Sequence, residues 1–294
     1  MSWRKVWSLL KETVAEWQKD KVDRMAAALA YYTLFSIAPL LVIAVAVAGA
    51  VFGEEAARGE VVAQIQGLLG KAGAEVVQTA LANTQNPENG NGIVPSIIST
   101  LALIFGASGV FIQLQDSLNA VWNVEESLEG GVKAVVRKRI FSFAMVITIG
   151  FILMVSLVVS AGLAAVSAFT NSMFPALESL WKVVNIGISL GVFTLLFALI
   201  YKYLPDIKIA WRDVLVGALF TSILFSIGKE LLGFYLGNGS FGSAYGAAGS
   251  VITVLAWIYY SVQIMLFGAE FTQVYTRRYG SHRSSSRDRL HRQE

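Results

Sequence analysis

Apolar residues gather along this chain in six long blocks, separated by short stretches that hold nearly all of the charge. Crossing the hydrocarbon of a bilayer as a helix takes about 20 predominantly apolar residues, and each block has roughly that length. The first runs from about Leu29 to Phe52, the second from about Ile93 to Leu114, and the third, long enough to tilt, from about Ile140 to Ala168. The fourth covers about Val183 to Tyr201, the fifth about Val214 to Leu236 and the sixth about Ala247 to Val274. A lipid-facing backbone must satisfy its own hydrogen bonds, and runs of this length exceed a barrel strand, so the pattern predicts helices. The predicted fold is all-α: a polytopic membrane protein with six transmembrane helices in one domain, residues 1–276, followed by a basic disordered tail, 277–294.

Ahead of the first span, Trp3, Val6, Trp7, Leu10, Val14 and Trp17 recur at spacings of three and four, with lysines and acids between them. This predicts an amphipathic helix on the cytoplasmic membrane surface, because tryptophan favours the headgroup level and lysine favours anionic lipid. The alternative is a helix packed on the cytoplasmic loops of its own protein. Between the first two spans, Val61, Ile65, Leu68, Ala72, Val76 and Leu81 keep helical periodicity, interrupted by Gly67, Gly70 and Gly73. One or two short outer amphipathic helices are expected there, ending in the turn-rich run from Asn86 to Gly92. Ala46-Val47-Ala48 resembles a signal-peptide cleavage site, but the block is too long and follows a charged stretch, so it reads as an anchor.

Charge orients the spans, since basic residues near span ends mark the cytoplasmic side. The amino-terminal stretch, the second-to-third and fourth-to-fifth connections and the tail together hold nineteen lysines and arginines, against three (Arg58, Lys71 and Lys182) in the other connections. That alternation supports six crossings of a bacterial inner membrane with both ends in the cytoplasm. Hydrophobic residues make up 55% of the chain and charged ones 15%, with a mean hydropathy of +0.59; a soluble domain carries about 25% charged residues. There is no cysteine, and both histidines, His282 and His291, lie in the tail, so thiol and disulfide chemistry is excluded. No P-loop, H-E-x-x-H pair or Gly-rich dinucleotide turn is present. The chain reads as no enzyme, with no cofactor, metal or nucleic acid expected.

Ionisable groups inside spans are expensive and usually functional. Lys229 and Glu230 fall in the outer half of the fifth span, about 22 Å along from Val214. Neighbours in sequence point about 100° apart on a helix, so no salt bridge is expected between them. Lys229 then either snorkels to the headgroups or contacts an anionic substrate, with Glu230, Tyr235 and Tyr245 as companion contacts. Glu270, near the cytoplasmic end of the sixth span, is expected to pair with a basic residue of the cytoplasmic loops and lock its helix; a proton relay is the other reading. Asp116 and Asn119 invite the same structural reading. Pro39 interrupts the first span, and the loose Gly237 to Ser250 stretch borders a candidate gate. Gly187 with Gly191, Ser222 with Ser226 and Ser156 with Ser160 give small-residue faces for close helix approach.

Several phrases together resemble the YihY/BrkB family of bacterial inner-membrane proteins. They are Ala30-Tyr31-Tyr32-Thr33 leading to Ser36-Ile37-Ala38-Pro39-Leu40, then Leu118-Asn119-Ala120-Val121-Trp122 and Leu204-Pro205-Asp206. Tyr245-Gly246-Ala247-Ala248-Gly249-Ser250 follows, then Trp257-Ile258-Tyr259-Tyr260 and Phe267-Gly268-Ala269-Glu270. The resemblance covers about Asp23 to Val274 and implies six spans. It brings older labels, ribonuclease BN and virulence factor, and a newer expectation of lipid or amphiphile export. The nuclease label finds no support in the residues, because a metal nuclease needs clustered carboxylates or histidines. The function expected is transport, flippase-like, of an anionic lipid or amphiphile; the alternative is a non-transporting scaffold for envelope assembly. Membrane lipids are the expected partners, with self-association left open.

Overall fold

The computed structural model describes residues 3–53, 109–124, 178–238 and 248–280, with isolated positions between 55 and 79 and at 144. Six helices carry the described residues: α1 (Trp3–Lys19), α2 (Val22–Phe52), α3 (109–121), α4 (Glu178–Tyr203), α5 (Trp211–Asn238) and α6 (Ala248–Tyr279). No strand occurs among the described residues. The third span apart from position 144, most of the second span and of the outer helices, Tyr245 and the tail beyond Gly280 lie outside the described residues.

Among the described residues, three stretches are long and apolar enough to cross a membrane: Val183–Tyr203, Trp211–Tyr235 and Val251–Tyr279. They correspond to the fourth, fifth and sixth apolar blocks. The first block forms the body of α2, whose helix starts seven residues earlier, at Val22, and runs on through Pro39 without a break. The expected interruption at Pro39 is therefore corrected: the ring removes one donor, but a membrane helix tolerates that where neighbouring groups compensate. Between α1 and α2 the chain turns at Lys21, whose backbone is left-handed with φ 55°. An L-residue adopts that region as a single step, so it ends one helix and starts another at a new angle.

The core runs through all of the described spans. Val22, Ala26, Leu29 and Ala30 of α2 meet Leu118 and Val121 of α3, Ala198 and Tyr201 of α4, Val214 and Ala218 of α5, and Leu266 and Ala269 of α6. Aromatic rings bridge α4 to α5 to α6: Phe193 and Phe197 pack on Phe225, which meets Trp257 edge-on.

Helix α5 and helix α6 approach most closely at glycines. A Cβ on Gly217 would lie 1.8 Å from Thr272 Oγ1, one on Gly268 1.9 Å from Thr221 Oγ1, and one on Gly228 2.4 Å from Ile264 Cδ1. Gly187 and Gly191, the expected G-x-x-x-G pair, have nothing within 4 Å of a built Cβ. They face outward on α4, beside exposed Val183 and Ile186. The spacing was right for a small face, but the partner helix approaches elsewhere. Ser222 does reach across, its Oγ 2.8 Å from Thr194 Oγ1 of α4.

Helix α1 lies along the end of α6. Leu9 packs with Phe271 and Val274, and Thr13 is fully buried beside it. Arg277 pairs with Glu12 at 2.5 Å and with Glu16 at 3.0 Å, and Arg278 pairs with Glu12 while its Nη1 donates to Ser8 Oγ at 2.9 Å. The fully buried edge is thus Leu9 and Thr13, and of the tryptophan stripe read from the spacing Leu10 and Trp17 pack partly buried beside it. Trp7 and Val14 of that stripe stay exposed, at 54% and 42%. The helix docks on the last span of its own chain, because α6 continues past the apolar block and offers arginines that match the acids of α1.

Candidate functional site

Away from their ends, the membrane-length helices among the described residues hold ionisable groups in two places. The upper one is on α5. Lys229 Nζ lies 3.3 Å from Glu230 Oε1, the lysine 34% and the glutamate 79% exposed. The expectation that these neighbours would not pair is corrected. Their backbones diverge, but four methylenes let the ammonium swing round the helix surface to a carboxylate that is free to meet it. Along α5, Leu215, Leu219, Ile223, Ile227 and Leu231 form an exposed apolar stripe at four-residue spacing, which Tyr235 extends at its upper end.

The lower place is at the other end of α6. Glu270 is fully buried, and none of the described donors reaches either of its carboxylate oxygens. Glycine contacts fix the register: Gly217 meets Thr272 and Thr221 meets Gly268 across antiparallel helices. Glu270 is therefore level with about Leu219, about 15 Å below Lys229 along the axis. The expected basic partner of Glu270 is corrected. The arginines one to two turns further on are occupied by Glu12 and Glu16 of α1, and the group facing Glu270 is another acid, Asp20, in the α1–α2 turn. Burial pushes the Asp20 carboxyl above its usual range, Lys19 pulls it back, and Glu16 adds to the rise. Glu16 itself lies below its usual range, chiefly through the hydrogen bond from Lys19.

A third polar cluster joins α3 to the α4–α5 connection. Gln115 Nε2 donates to both carboxylate oxygens of Asp206, at 3.1 and 3.2 Å, and Asn119 Nδ2 donates to Oδ2 at 2.9 Å. The Asp206 backbone N–H returns a bond to Asn119 Oδ1 at 2.8 Å. Asp116 lies half-buried on the same helix, three residues before Asn119. Gln115 and Asp206 were not singled out from spacing; the signal available was Leu204-Pro205-Asp206, a short acid-bearing turn between two apolar blocks. Among the described residues no three acidic or histidine side chains converge to hold a metal ion.

Long apolar helices packed through glycines, with a carboxyl enclosed between them, define a polytopic α-helical membrane protein. The chain belongs to the family described as Virulence factor BrkB, which it matches over residues 13–292. It is 31% identical to a UPF0761 membrane protein of Vibrio cholerae, covering 95% of this chain and 89% of the relative. A UPF0761 membrane protein of Alteromonas mediterranea is 30% identical, covering 87% and 83%. A protein of Bacillus subtilis named ribonuclease-like protein YfkH is 24% identical, covering 92% and 96%. No solved structure matches. The UPF0761 relatives are named as membrane proteins and not for a reaction.

Proposed function

We propose that the protein moves an anionic lipid or amphiphile between the leaflets of the bacterial inner membrane, without catalysing a reaction. The observation that carries this reading is Glu270, a carboxyl enclosed in a membrane-length helix with no basic partner among the described residues. Such groups are costly in a bilayer and recur on substrate and ion pathways; a scaffold has no use for one. Substrate class follows from the other site. An exposed apolar stripe runs up α5 past Glu230, to which the Lys229 ammonium swings; it suits an acyl chain beside an anionic headgroup, and the largely solvated Glu230 is a weak competitor for that lysine.

The contacts also support six crossings. Helix α1 lies against the end of α6, so the first and last spans start and finish on one side. Gly109 lies beside Ser36 and Tyr32, while Asn119 bonds Asp206, so α3 descends to that same side. Helix α4 arrives there too, at Tyr203, so α4 begins on the face opposite the end of α3. With the basic residues concentrated on the shared side, that side is read as cytoplasmic.

The test is leaflet exchange of a fluorescent anionic lipid in liposomes carrying the purified protein, beside Lys229→Ala. Exchange several-fold above empty liposomes, lost in the variant, is expected. Wild-type exchange no faster than empty liposomes overturns the transport reading.

A further inference from the structure

The carboxyl pair formed by Glu270 and Asp20 has no place in a headgroup site 15 Å away, and its geometry raises a chemical problem of its own. Glu270 is fully buried, both of its oxygens lack a described donor, and Asp20 Oδ2 is likewise buried without one. The two carboxyls face each other. Two carboxylates are acceptors only and repel; they make a hydrogen bond when one of them carries a proton. A buried carboxylate with neither donor nor counter-charge is strongly disfavoured, whereas one proton neutralises one group and supplies the other with its missing donor.

Among the described residues, the surrounding charges do not offer another solution. From α1 the neighbours are Glu16, negative, and Lys19, positive but held at 2.9 Å by Glu16. From α2, Asp23 and Arg24 are exposed. From α5, Asp213 is buried against Gly280 and Thr276, beyond Glu270 on α6. On α6 itself Arg277 and Arg278 are taken up by Glu12, Glu16 and Ser8. No metal-holding group converges here among the described residues, and a proton is the ligand that two facing acceptor-only carboxyls call for.

We propose that Asp20 and Glu270 form a proton-binding site, holding one shared proton that joins the α1–α2 turn to the last span. With the proton bound, an O–H···O bond ties the turn to α6. When it leaves, two adjacent negative charges push the turn and the docked α1 away. The site thus binds a proton at one helix and reports it at another. Its argument stands on the pair alone and holds whether or not the chain moves lipid.

An amide mimics a protonated acid, offering one acceptor and a donor that does not titrate. Glu270→Gln and Asp20→Asn should each keep the turn docked at every pH. The chain has no cysteine, so spin labels can be placed cleanly at Lys11→Cys on α1 and Arg212→Cys at the start of α5, both exposed. In full-length protein in liposomes, the inter-label distance should lengthen or broaden as pH rises from about 6 to about 9, and neither amide variant should follow. Infrared spectra at neutral pH should show a protonated carboxylic acid in the wild type that is absent from whichever amide variant folds. A wild type without that signal, or variants whose distances move with pH as the wild type's do, overturns the proposal.

Discussion

One hydroxyl at Tyr201 ties three helices together: it donates to the Met265 carbonyl of α6 at 2.6 Å and lies 3.0 Å from Thr221 Oγ1 of α5. The ring is wholly buried and stacks on Phe197. Tyr201→Phe keeps the packing and removes the bonds. The cost expected is about 1 kcal/mol, toward the lower end because hydrogen bonds between membrane helices average only about 0.6 kcal/mol. A thermal-unfolding midpoint lowered by about 2 °C or more is the outcome to look for, with Tyr203→Phe, on an exposed ring, unchanged. At this scale the sequence marked Lys229 and Glu270 as unusual from hydropathy alone, because each interrupts an apolar run. It did not give their partners. Lys229 found Glu230 through stem flexibility, which helix geometry does not encode, and Glu270 found Asp20 because of a left-handed turn at Lys21 that no residue type announces.

Between elements, the small residues that matter are those whose Cβ position is already occupied. Gly217, Gly228 and Gly268 meet Thr272, Ile264 and Thr221 at distances no real Cβ shows, whereas Gly187 and Gly191 meet nothing. Gly268→Ala and Gly217→Ala are each expected to destabilise by about 1–3 kcal/mol, the usual cost of overfilling a packed contact. Gly228→Ala should cost less, since a terminal methyl of Ile264 can turn aside. Gly187→Ala and Gly191→Ala should be neutral or slightly stabilising, as alanine favours helix. Detergent stability of the five variants, ranked side by side, checks this order. Element positions were legible where apolar blocks are long and charge-bounded: the fourth, fifth and sixth blocks recur as α4, α5 and α6 within a few residues. Which face of each helix meets its neighbour was not, because three helices of nearly uniform hydrophobicity have no polar side to mark the outside. The same limit explains α1, where two adjoining apolar edges competed and Leu9 with Thr13, not Trp7, met α6.

For the molecule as a whole, the docking of α1 on α6 is where charge acts over the longest sequence separation, and its pH dependence has two sides with opposite signs. Glu16 lies below its ordinary value, held there chiefly by Lys19 and also by Arg277. Its contribution is therefore present above that ordinary value, near 4.5, and is lost as pH falls through the depressed one. Asp20 lies above its ordinary value through burial. Its contribution is present below that value and is lost as pH rises through the elevated one. Docking should accordingly be tightest in mildly acidic conditions and weaken in both directions. Salt separates the two sides. The Arg277 and Arg278 pairs with Glu12 and Glu16 are partly exposed, so raising ionic strength toward about 1 M, where screening acts over about 3 Å, weakens them. Asp20 Oδ2 and both Glu270 oxygens are buried, so those ions act far less on that contact. The mobility of a single spin label at Lys11→Cys, followed against pH at low and high salt, reads the balance directly. High salt should loosen α1 across the whole range without moving the alkaline limb along the pH axis, because that limb belongs to a buried pair on which the salt acts far less. An alkaline limb that shifts with salt as far as the acidic one does would instead place the controlling acid at the exposed surface of α1.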